Sequence, residues 1–124
     1  MKYLARLIVT ILVTILVATL SLSISPAAQA VHWHRVATTA DGLQSQYVDT
    51  DSIERSPHGV RLKSSWDNRD THAITNYLTE YDCQRQQYRD LMENGQVAKG
   101  EWQPLTGDPL NYAAMKYGCE QTQK

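Results

Sequence analysis

From Leu7 to Ile24 the chain carries no charge and is dominated by Leu, Ile, Val and Thr; from His32 onward, apolar and polar residues alternate in short runs. His32, His34 and Val36 alternate with Trp33, Arg35 and Ala37, which predicts a first strand over 32–38. Asp41-Gly42 is a turn, and 43–48 is a second strand with Leu43, Ser45 and Tyr47 on one face. Asp49-Thr50-Asp51-Ser52 ends it, because short Asp and Ser side chains bond nearby backbone amides. After a turn at Ser56-Pro57-His58-Gly59, a third strand runs over 60–66. It sets Val60, Leu62, Ser64 and Trp66 against Arg61, Lys63 and Ser65, the signature of one covered and one wet sheet face. Ala73 to Asp82 is a long strand whose Tyr77, Thr79 and Tyr81 share a face with Cys83. The Gln and Arg content of 84–92 allows helix. Its alternation of Arg85, Gln87 and Arg89 with Gln84, Gln86 and Tyr88 predicts a strand instead. Glu93-Asn94-Gly95 turns the chain, and 100–104 holds a short edge strand stopped by Pro104.

The period then changes. Asp108-Pro109 reads as an N-cap followed by a first helical residue. Leu110, Ala113, Ala114 and Tyr117 recur at helical spacing, and Gly118 falls where a C-cap glycine would end the helix. The predicted fold class is α+β: a small antiparallel β-sheet with a C-terminal α-helix packed on it. A helix of about ten residues is unstable alone and needs that packing.

The N-terminal stretch has a different role. Lys2 and Arg6 precede the apolar run, Pro26 ends it, and Ala28-Gln29-Ala30 follows. A basic start, an apolar middle and an A-x-A end are the parts of a secretory signal peptide. Residues 1–30 are therefore expected to be a signal peptide cleaved after Ala30, with Ala28 and Ala30 filling the peptidase's shallow pockets. The alternative is a retained anchor, since 18 uncharged residues reach the lower limit of a spanning helix. Both place residues 31–124, one domain, outside the cytoplasm by Sec export: periplasmic, extracellular or associated with the surface. Membrane contact is expected only through an uncleaved leader. No Cys follows the apolar run, so no bacterial lipid-attachment site is present.

Removing the leader leaves 94 of the 124 residues, with 10 basic and 13 acidic side chains. A domain of this size is marginal without help. Cys83 and Cys119 supply it. In an oxidising compartment two cysteines are expected to form one bridge. Closing a 37-residue loop restricts the unfolded chain by about 4 kcal/mol in the chain-entropy estimate. A redox role would call for Cys-x-x-Cys, which the chain lacks. The weak net charge carries no broad basic field, so nucleic acid is not an expected partner.

Candidate chemistry is sparse. His32 and His34, spaced i, i+2 on a strand, point to one face and are the weak candidates for a metal, with His58 or His72 as a third ligand if the fold brings them close. Asp49-Thr50-Asp51 starts like a calcium loop, but Ile53, Glu54 and Val60 occupy the positions that need Asp or Asn, Gly and Glu. There is no G-x-S-x-G and no phosphate loop, so no catalytic residue and no cofactor is assigned, and the chain is not expected to be an enzyme. Arg85 and Arg89 lie in a polar segment that reads as a solvated strand face or a contact for an acidic partner. In a domain without Phe, Trp33, Trp66 and Trp102 are expected in the core.

His32-Trp33-His34-Arg35-Val36, Tyr47-Val48-Asp49-Thr50-Asp51-Ser52-Ile53 with Arg55, Val60-Arg61-Leu62-Lys63, Tyr81-Asp82-Cys83 with Arg85 and Tyr88, then Gly100, Trp102, Pro104 and Cys119 occur in this order. The set resembles the surface-adhesin protein E family of bacterial exported domains, over about Val31 to Glu120. The resemblance implies an antiparallel sheet with a disulfide-fastened C-terminal helix. It also implies surface lipoproteins that bind host matrix proteins and serum factors, although this chain lacks the lipid-attachment Cys. It carries over no binding residue. The expected function is thus an exported, non-enzymatic binding module whose partner is an extracellular or envelope protein. The alternative is a small-ligand or metal-binding periplasmic domain using His32 and His34. The oligomeric state is not specified by the sequence.

Overall fold

The computed structural model describes residues 1–21 and 30–124, which divide into two units, Met1–Ala30 and Val31–Lys124. The first unit contains α1 (Lys2–Ser21). Among the described residues no helix is long and apolar enough to cross a membrane. Of the expected cleavage residues, Ala28 lies outside the described residues and Ala30 is exposed.

The second unit runs β1 (Trp33–Thr38), β2 (Gln44–Asp49), a 3-10 turn (Thr50–Ser52), β3 (Glu54–Ser56), β4 (Gly59–Asn68), β5 (Ala73–Asp82), β6 (Gln87–Glu93), β7 (Gln96–Val97), β8 (Gln103–Pro104) and α2 (Pro109–Thr122). All pairings are antiparallel, in the order β1-β2-β4-β5-β6-β7. The long β4–β5 hairpin is the axis of the sheet; two short strands lie in tandem along β4, and on the other side β6 flanks β5 and carries two more in tandem. β2 pairs with Ser64–Asn68 of β4, and β3 with Gly59–Arg61. Likewise β7 pairs with the end of β6 and β8 with its start.

The junction between β2 and β3 explains one run of residues. Asp49 caps the 3-10 turn by accepting from the Asp51 amide, and the Ser52 hydroxyl donates to the Asp49 carbonyl. The same hydroxyl accepts from the Lys63 amide at 2.8 Å, the β4 donor that falls between the two short strands. A ladder donor that would otherwise lack a partner is thereby satisfied. Val48 and Ile53, on either side, pack into or against the core. Tyr81-Asp82-Cys83 is equally structural. Tyr81 is fully buried and donates to Asn111 Oδ1, and Asp82 Oδ1 accepts from the amides of Gln84 and Arg85 to shape the turn.

Helix α2 packs against β1, β2 and β4. The core between them is Val48, Val60, Leu62, Tyr81, Leu105, Ala114, Met115 and Cys119. As expected, Asp108 caps the helix, its carboxylate accepting from the Asn111 amide, and Pro109 opens it. Cys83 and Cys119 are joined, with Cα atoms 6.1 Å apart. The bridge fastens the last turns of α2 to the chain leaving β5.

Three expectations are corrected. Gly118 is not a C-cap, because the helix continues to Thr122. A Cβ at Gly118 would stand 2.6 Å from Leu62 Cδ2, so its missing side chain lets α2 lie close on β4. The 84–92 strand begins only at Gln87, since Asp82 holds the preceding residues in a turn. The tryptophans are not in the core: Trp33 is exposed on the edge strand, and Trp66 and Trp102 are half-buried. Small side chains (Ala114, Gly118) let α2 come close enough for Leu, Val and Tyr to fill the interior.

Candidate functional site

The helix covers only part of its sheet face. Along β4 that face carries Val60 and Leu62 beneath α2, then Ser64 and Trp66 beyond its N-terminal end. β2 adds Gln44 and Gln46, β5 adds Tyr77 and Thr79, β6 adds Tyr88 and Asp90, and the start of the helix adds Asp108, Leu110 and Asn111. Together they line a cavity of about 320 Å³, near the lower end of the range for small-ligand pockets. It arises from the strand period of two. The positions that supply aliphatic core under the helix supply amides, hydroxyls and aromatic rings where the helix stops.

Several lining groups are held in place. Trp66 Nε1 donates to Gln44 Oε1 at 3.2 Å, the Tyr88 hydroxyl to Gln103 Oε1 at 3.3 Å, and Thr79 Oγ1 to Asp90 Oδ1 at 2.7 Å. A bulge in β6 lies beside the cavity: Asp90 pairs with Thr79, but Met92 pairs with Leu78. Burial raises the Asp90 carboxyl above the usual range. The Thr79 hydroxyl opposes this, and the negative charges of Glu93 and Asp108 reinforce it. Tyr77 and Tyr88 are also raised, by burial first and then by neighbouring carboxylates. Among the described residues lining the cavity there is no Lys, Arg or His.

The opposite face holds a second polar cluster. Glu80 is fully buried between Arg61 on β4 and Arg89 on β6. Arg89 Nε and Nη2 both reach Glu80 Oε1, at 2.8 and 2.6 Å. Trp102 caps the arginine, its ring centre 4.7 Å from Cζ, and meets the His58 ring edge-on at 5.1 Å. Burial pushes the Glu80 carboxyl up, but the nearby Ser56 hydroxyl, Arg89 and His58 outweigh it and hold the group below its ordinary range. Neither Ser56 Oγ nor Glu80 Oε2 meets hydrogen-bond geometry. The Arg89 pair therefore rests on Oε1 alone, while the His58 ring stands 3.8 Å from Oε2.

The residues singled out by sequence are dispersed. The His32 ring pairs with the Asp51 carboxylate, which raises the His32 pKa through that hydrogen bond and its charge. His34 stacks on Tyr117 at 4.7 Å. His58 lies against Glu80 and Trp102, and His72 occupies the β4–β5 turn. Among the described residues no three His, Cys, Asp or Glu side chains are grouped to hold a metal ion. Arg85 is exposed in a turn, and Arg89 is engaged by Glu80. Sequence assigned none of the cavity residues to a site, reading Trp66 as core and Asp108 as a helix cap. The available signal was the change from aliphatic to polar and aromatic positions along the covered face of one strand, Val60 and Leu62 giving way to Ser64 and Trp66.

A family model described as the surface adhesin-E family matches residues 34–124, from the second residue of β1 to the C-terminus, and so takes in the whole sheet and its helix. No curated protein and no solved structure matches the chain.

Proposed function

Because the chain belongs to the surface adhesin-E family, we propose that it is an exported, non-enzymatic binding module that engages an extracellular or envelope protein. The observation that carries this reading is the uncovered half of the sheet. There a polar, aromatic hollow is held open by groups that the fold does not need for its core. The residues of the recurrent motifs, by contrast, are spent on the fold: Ser52 on a ladder donor, Asp82 on a turn, Cys83 on the bridge. Recognition therefore falls to side chains that these structural bonds do not use.

Residues 1–30 serve, in this reading, as the export signal, with cleavage after Ala30. Protein produced from the full chain and recovered from the envelope should begin at Val31; a product that keeps Met1 overturns the cleavage. The binding role is tested by presenting that protein to immobilised matrix and serum proteins and to envelope proteins of its own cell. Saturable retention of at least one supports it, and no retention by any of them removes it.

A further inference from the structure

The cavity beyond α2 combines three features that call for one kind of ligand. Asp90 and Asp108 bring two carboxylates to its wall, with no basic side chain among its described lining residues to balance them. Trp66, Tyr77 and Tyr88 add three aromatic rings. Gln46 lines the same space from the middle of β2, where only 5 % of its surface is exposed, and among the described residues its side-chain amide has no hydrogen-bond partner. Its polar atoms therefore open into the cavity, where water or an entering ligand supplies their partners.

The charge of the ligand follows from magnitudes. The start of α2 carries about half a positive charge and would favour an anion. Its Asn111 amide is already capped by Asp108, and a second carboxyl, Asp90, stands on the same wall, raised by burial and ready to regain its charge when a cation pairs with it. An anion is therefore disfavoured. A cation would neutralise Asp90, donate to its second oxygen and to the Gln46 carbonyl, and lie against aromatic faces whose quadrupoles attract it. Acceptors this numerous suit a group with several N–H donors better than a quaternary ammonium, which has none.

We infer that the cavity lined by Gln46, Trp66, Tyr77, Tyr88, Asp90 and Asp108 receives the cationic end of a lysine or arginine side chain presented by the partner protein. The inference rests on the binding reading above and gives it a chemistry. Half-buried Trp66, Asp90 and Asp108 at the wall leave room for a side chain to enter from solvent.

The test titrates protein made from the full chain with N-acetyl-lysine methylamide and N-acetyl-arginine methylamide, following Trp fluorescence and amide shifts. Norleucine and glutamate derivatives of the same form, 1,4-diaminobutane and a neutral hexose serve as comparisons. One side chain binding alone is expected near the millimolar range, weakening as salt is raised. Asp90→Asn should weaken it roughly tenfold or more while keeping the Thr79 contact, and Gln46→Leu should weaken it as well. Equal binding of norleucine, a preference for the hexose, or unchanged affinity in Asp90→Asn overturns the inference. Binding of the diamine tenfold tighter than the blocked amino acids assigns the site to free amines and overturns a protein source. Protein retention without any response at the cavity removes this inference and leaves the wider reading standing. A cavity that takes lysine in a chain that retains no protein does the reverse.

Discussion

Arg89 decides whether a fully buried carboxylate is an asset. Burial raises the Glu80 carboxyl, but the Ser56 hydroxyl, Arg89 and His58 together overcome that desolvation and keep it ionised below its ordinary range. Arg89→Met removes the nearest ionic partner and leaves only His58, 3.8 Å from Glu80 Oε2, and breaking a buried pair costs about 3–5 kcal/mol. The lower end applies here, because the Arg89 side chain is 30 % exposed. Equilibrium urea unfolding should show the loss near pH 7. The sign with pH follows from the direction of the shift. A depressed carboxyl contributes stability that is present above the unfolded glutamate pKa and is lost as pH falls through the folded one. In Arg89→Met that depression is weaker, so the variant has less of this stability to lose and its deficit should shrink as pH falls. Asp90 carries the opposite sign, since its pKa is raised. The folded state holds its proton to higher pH, so its ionised form penalises folding near neutrality. Asp90→Asn should leave the unfolding midpoint at pH 7 unchanged or higher even as it removes the proposed cation site, a trade common at functional positions.

Helix α2 shows which structural levels could be read from residues. Its start was legible because Asp-Pro at N-cap and N1 is a local signature, satisfied by the neighbouring Asn111 amide. Its end was not. Gly118 imitates a C-cap, and what sets its identity is Leu62, distant in sequence and fully buried beneath it. Gly118→Ala therefore opposes two effects. Helix propensity favours alanine by about 1 kcal/mol, while forcing a methyl against an immobile leucine costs about 1–3 kcal/mol. Leu62 is fully buried and Val60 stands beside it at 3.4 Å from the same methyl, so a net loss of about 1 kcal/mol is expected, read as a melting temperature lower by several degrees. The strands repeat the lesson. Alternation placed Val60, Leu62, Ser64 and Trp66 on one face, and they share it. Alternation could not say that the helix stops over Leu62 and leaves Ser64 and Trp66 beside a cavity, because that depends on where α2 crosses. The Glu80 cluster was hidden for the same reason, its three charges being cross-strand neighbours in the register of β4, β5 and β6.

At the scale of the whole molecule, the sheet has two faces with separate duties. One is closed by α2 and opens into the acidic hollow; the other buries an Arg–Glu pair under Trp102. The class of fold and the bridge were foreseeable from strand patterning, the Asp-Pro start and two cysteines in a chain expected to be exported. The hollow was not, since it is made by the mismatch between a 14-residue helix and a sheet wider than the helix can cover. The bridge has one more consequence, which concerns force. A protein that holds a partner outside the cell is pulled, and tension arriving at the C-terminal end enters at Cys119. It then crosses to Cys83 through sulfur and passes into the central β5 without running through the residues between. Those residues, a separation of 36, form slack that stretching cannot release. In a single-molecule pulling experiment the oxidised domain should extend less than the reduced one by about 120 Å, at roughly 3.3–3.6 Å per residue. The cysteine pair thus acts as a mechanical stop, limiting how far the domain can yield under load.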